Sequence, residues 1–119
     1  MQKDKDTKWS TYEPVKVRWC PEVLLYLRVN VFRNAKGEPY SLNDSCIQFH
    51  EAYPKTKLAK TQLRGYELNT HIPRADMAAM LAFAYRVPII VLFTEKKKAM
   101  TEDEVRDVLI EYGVIQEVN

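Results

Sequence analysis

A chain of 119 residues, 46% of them hydrophobic, carries enough apolar material for one compact core and too little for two, so a single domain with appendages is expected. Its best apolar run, residues 87–93, is broken by Pro88 and falls far short of the roughly twenty residues of a membrane span; residues 1–8 mix both signs of charge without a secretion signal's apolar stretch, which points to a soluble, cytoplasmic protein. The net charge of +2 excludes little, but it is segregated: from residue 54 to 74 Lys55, Lys57, Lys60, Arg64 and Arg74 oppose only Glu67, whereas residues 101–119 carry Glu102, Asp103, Glu104, Asp107, Glu111 and Glu117 against Arg106.

In chain order, residues 1–18 lack sustained periodicity and read as an N-terminal arm. Pro21 suits the first turn of a helix, and Val23, Leu24, Leu27 and Val31 follow at helical spacing, although Leu25, Leu27, Val29 and Val31 also alternate as a strand would. Lys36, Gly37, Glu38 and Pro39 make a break. Ser41 can cap a second helix, on which Leu42, Cys46, Phe49 and Tyr53 form one stripe until Pro54 ends it. Leu58, Leu63 and Tyr66 mark a third helix, closed by Asn69, one of the few residues other than glycine that readily adopts the left-handed conformation. After Pro73, Met77, Met80, Leu81, Ala84 and Tyr85 give a fourth helix a broad apolar face. Residues 87–93 fit a short buried helix or a strand equally well. The core is expected to end at the basic hinge of Lys96, Lys97 and Lys98. Beyond it, Thr101 and Glu104 have capping-box spacing, and Val105, Val108, Leu109 and Tyr112 give an acidic amphipathic helix before Gly113.

The stretch LAKTQLRGYELNTHIPRADMAAMLAFAYRVPIIVLF, residues 58–93, resembles the second half of the lambda-repressor/Cro-like (Xre-type) helix-turn-helix family. In that family the recognition helix ends in an aliphatic or aromatic residue and Glu, followed by a Gly or Asn turn and a Pro six residues after the Glu; here these are Tyr66, Glu67, Asn69 and Pro73. Ala82, Val87 and Leu92 match its later alanine, valine and leucine positions. The resemblance implies an all-α fold, a lambda-repressor-like five-helix bundle over residues 19–95, with the arm before it and the acidic helix of residues 96–119 after it. The first half departs: the segment around Pro54 to Lys57 implies an insertion, Ala59 stands where the family caps its helix, leaving Thr56 or Thr61 as the expected cap, and Gly65 replaces a side chain that often touches DNA.

Carried over residue by residue, the resemblance places Lys60 and Thr61 at the start of the recognition helix, to read base edges in the major groove of double-stranded DNA. Gln62 and Arg64 would read a base or hold a phosphate. Lys55, Lys57, Thr70, His71 and Arg74 surround the helix at positions suited to backbone contacts. Glu67 is expected to pair with an arginine of the first helix, Arg28 or Arg33.

Other chemistries are weaker. Cys46 and His50 have a spacing that could hold zinc, with His71 and Cys20 as further ligands, yet no paired-cysteine knuckle exists and Cys46 lies on the apolar stripe, so no metal, cofactor or enzyme activity is expected. The cysteines are expected to be free thiols. The sequence therefore predicts a homodimeric DNA-binding regulator, paired through the acidic helix or the arm. The alternative is a protein-interaction adaptor that keeps the scaffold and docks partners through Val105, Val108, Leu109 and Tyr112.

Overall fold

The computed structural model describes residues 16–117. The arm expected over residues 1–18 lies mostly outside them, and Arg18, its last residue, belongs to the folded unit instead. Strand β1 (Arg18–Trp19) pairs antiparallel with β2 (Phe93–Thr94), Arg18 facing Thr94 and Trp19 facing Phe93. Two-residue strands do not hold by themselves. Trp19 holds them: it is buried, packs edge-on against Phe93 and Tyr66 with centroids 5.8 and 6.4 Å away, and its indole N–H donates to the Tyr66 carbonyl at 3.0 Å.

Pro21 opens α1 (Pro21–Tyr26), where its missing N–H costs nothing, and the helix runs on as a π-helical turn, Leu27–Val31. Helical burial prevails over the strand alternation: Val23, Leu24 and Leu27 are fully enclosed while Val29 is exposed. Helix α2 (Leu42–Ala52) begins with a closed capping box, the Asp44 amide donating to Ser41 Oγ at 3.0 Å and the Ser41 amide to Asp44 Oδ2 at 2.9 Å. Its inner face carries Ser45, Cys46 and Phe49. Helix α3 (Lys60–Leu68) ends at Asn69 with φ of 62°, the left-handed cap expected there. Helix α4 (Ala75–Tyr85) starts two residues after Pro73 and buries Ala78, Leu81, Ala82, Ala84 and Tyr85. Residues 87–93, which fit helix or strand, use both in succession: a 3-10 turn (Ile89–Leu92) leads directly into β2.

Helix α5 (Glu102–Glu111) has the predicted Thr101–Glu104 capping box. The core, however, does not end at the lysine hinge. Met100, Val105 and Leu109 join the same buried cluster as Trp19, Leu24 and Leu92. Arg18 fastens the hinge by donating to the carbonyls of Lys96 and Lys98, both at 2.7 Å, and Glu22 accepts the Met100 amide at 3.1 Å. The fold is thus mostly helical, with five α-helices and one small two-stranded sheet among the described residues. No helix there is long and apolar enough to cross a membrane.

Cys20 and Cys46 are both free and buried. Burial, only partly offset by the Val23 backbone, pushes the Cys20 thiol up to about 12 from the ordinary 9.0. The folded chain then holds a proton that the unfolded chain releases above pH 9, so this thiol leaves stability unchanged below pH 9 and lowers it as pH rises from there towards 12. At pH 8 a thiol-specific reagent is expected to modify Cys20 only at the rate of unfolding; rapid modification of the native chain, read by mass spectrometry, contradicts this.

Candidate nucleic-acid interface

Helix α3 is set by its single acid. The Glu67 side chain has no exposed surface, and a buried carboxylate is tolerated only when paired and fully hydrogen-bonded. Arg28, in the π-helical turn after α1, grips both oxygens: Nε donates to Oε2 at 2.6 Å and Nη2 to Oε1 at 2.9 Å. Its Nη1 donates to the Tyr40 carbonyl at 2.9 Å, in the loop before α2. Hydrogen bonding to Glu67 raises the Arg28 pKa still further, against the opposing effect of burial. The expected pairing with Arg28 or Arg33 falls to Arg28; Arg33 instead donates to the Val29 and Phe32 carbonyls. With Leu63 and Tyr66 buried beside Glu67, rotation of α3 about its own axis is fixed.

The leading end of α3 is open. Neither Thr56 nor Thr61 caps the helix: the N-cap is Ala59, which makes no side-chain cap bond. The cause lies one residue earlier, where the Leu58 amide donates to His50 Nε2 at 3.0 Å and the Leu58 side chain is buried, so the chain turns into the helix at Ala59. The first-turn amides of Lys60, Thr61 and Gln62 consequently have no side-chain acceptor from the cap. Lys60 and Thr61 are exposed there, as are Lys55 and Lys57 in the preceding loop.

The remaining candidates divide. Gln62 donates to the Tyr66 hydroxyl at 2.8 Å, and Arg64 to Glu67 Oε1 at 3.2 Å while staying partly exposed, so both are engaged on their own helix. Thr70 donates to the Gly65 carbonyl at 3.3 Å. His71 and Arg74 are exposed, Arg74 lying 3.8 Å from Asp76. Gly65 has a reason of its own, which the sequence did not disclose. Its carbonyl also accepts the Thr70 and His71 amides at 3.0 and 3.2 Å, and a Cβ there would meet His71 Nδ1 at 2.6 Å. The position is closed by the chain's own turn, so it offers no approach to a partner's backbone.

For the zinc alternative, His50 Nε2 is taken by the Leu58 amide, and burial raises the Cys46 thiol. Among the described residues no three His, Cys, Asp or Glu side chains gather as a metal site. The residues that sequence reasoning missed are His50, which seats the loop before α3, and Trp19, which ties β1 to the end of α3. No protein-family model, curated protein or solved structure matches this chain.

Removing one member of the Glu67 clamp leaves a buried charge unpaired. Arg28→Ala is expected to cost about 3 kcal/mol in urea unfolding, whereas replacing Arg28 and Glu67 together by Met should cost clearly less. Equal losses in the single and double variants would show that the pair does not hold α3.

Proposed function

We propose that this chain binds double-stranded DNA sequence-specifically as a repressor-like transcription regulator, on a lambda-repressor-like bundle with α3 as recognition helix, acting as a homodimer. One observation carries this: α3 is locked from behind through Glu67 while its uncapped first turn presents Lys60 and Thr61 outward, with Lys55 and Lys57 exposed just before it. Such an end combines orphan backbone donors, the positive pole of the helix and mobile cations, the chemistry that phosphates and base edges accept. The acid in this stretch does not oppose a polyanion, because Glu67 is enclosed by Arg28 and Arg64.

Within this proposal Lys60 and Thr61 read bases, Lys55, Lys57, His71 and Arg74 position the backbone, and Arg64 contributes charge from its place on Glu67. Gln62 and Thr70 serve first to shape the helix and its following turn. Two observations favour DNA over the adaptor alternative. Val105 and Leu109, half of the stripe proposed for partner docking, are buried in the chain's own core, and Val108 is partly buried with them.

Random duplex DNA is expected to bind in the micromolar range at low salt, with affinity falling steeply as salt rises. Lys57→Ala and Lys60→Ala should each flatten the slope of log affinity against log salt by about one unit, and Lys60→Ala alone should relax the preference found by selecting bound sequences. Affinity that is independent of salt contradicts the proposal.

A further inference from the structure

Phe83 is the most exposed aromatic side chain among the described residues, with 68% of its surface open, although it sits on an otherwise buried helix. It borders a groove of about 500 Å³ between α2 and α4, whose floor is lined by Ala52, Ala82 and Val87. The polar side chain in that floor, Gln48, is satisfied internally: it donates to the Ala84 carbonyl and accepts from the Tyr40 hydroxyl, both at 2.8 Å. The rim carries one charge of each sign, Glu51 at the end of α2 and Arg86 at the left-handed cap of α4. Both are exposed, and neither makes an ion pair among the described residues. They also line a second groove that continues past Tyr40 and Val114.

A surface holding an aromatic knob, an apolar trough and two opposite charges is complementary to itself. Under two-fold symmetry each residue i that meets residue j of the partner is matched by j meeting i, so one Glu51 and one Arg86 per copy supply two ion pairs. We infer that this α2–α4 groove is the homodimer interface: Phe83 of each copy covers the trough of the other, and Glu51 pairs with Arg86 across the axis. A partner of uniform charge would leave one of the two rim charges opposed by its own sign, which is why a second copy is the occupant. The acidic helix α5 and the N-terminal arm are not needed for this pairing. The inference specifies the dimer of the proposed regulator, but no groove residue is among the candidate DNA contacts, so the two are tested apart.

Sedimentation of the full chain over a range of concentrations is expected to show a monomer–dimer equilibrium. Phe83→Ser should weaken it about thirtyfold or more, as loss of a central aromatic anchor does, with an unchanged far-ultraviolet dichroism spectrum because the side chain is exposed. Glu51→Arg and Arg86→Glu should each weaken it at least tenfold, and the doubly swapped chain should regain most of the lost affinity, since both cross-axis pairs are restored with reversed sign. A chain that stays monomeric at every concentration overturns the inference, as does a dimer that ignores the charge swap. Binding of random duplex DNA by the Phe83→Ser chain is measured alongside: retained, salt-dependent binding by a monomer leaves the DNA proposal standing and isolates any failure to the dimer surface.

Discussion

A carboxylate with no exposed surface governs this structure. Glu67 cannot stay ionised in the interior without compensation, and the compensation comes from three separate pieces of chain: Arg28 from the turn after α1, Arg64 from α3 itself, and, through Arg28, the carbonyl of Tyr40 before α2. Together they fix which face of α3 is turned inward. Leu63 and Tyr66 fill the core on that face, and the first turn, with Lys60 and Thr61, is left outside. Two short hydrogen bonds to a planar guanidinium define an orientation as well as a distance, so the exposed end is held in place before any partner arrives.

The enlarged connection between α2 and α3 fits the same plan. Its last residue is anchored twice, by the Leu58 side chain in the core and by the Leu58 amide on His50, while Lys55 and Lys57 remain exposed. The longer connection therefore adds cations ahead of α3 without loosening the helix start. At the other end of α3, Gly65 accepts three donors from the Thr70–His71 turn, and the left-handed Asn69 reverses the chain towards Pro73. Through Trp19 this end is also bonded to β1, and through Arg18 and Glu22 β1 and α1 hold the segment that leads into α5. The acidic terminal helix is accordingly part of the core, and the lysine hinge is a fastened strap.

The helices were legible because a half-buried helix must repeat its apolar residues every three or four positions and because caps are local chemistry. Ser41, Asn69, Pro73 and the Thr101–Glu104 box all act within a few residues of where they stand. The Arg28–Glu67 pair was legible only through the family resemblance, since spacing left Arg28 and Arg33 equal. What stayed hidden was non-local or a matter of competition. Nothing near Trp19 announces Phe93, and nothing near Arg18 announces the carbonyls of Lys96 and Lys98. Gln62 and Arg64 looked free for DNA because a sequence shows polar groups without showing which neighbour claims them; Tyr66 and Glu67, one turn on, had the nearer claim. Gly65 was misleading for a similar reason, its closeness being to its own turn.

The account rests on a rigid α3 whose first turn faces a duplex. Backbone amide NMR of the full chain, titrated with a short duplex at low salt, tests this residue by residue. Shifts concentrated at residues 55–61 and 70–74, with the amides of Lys60, Thr61 and Gln62 moving most and those of α5 unmoved, are the predicted result. Shifts that leave residues 55–61 untouched while the duplex binds elsewhere on the chain would contradict it.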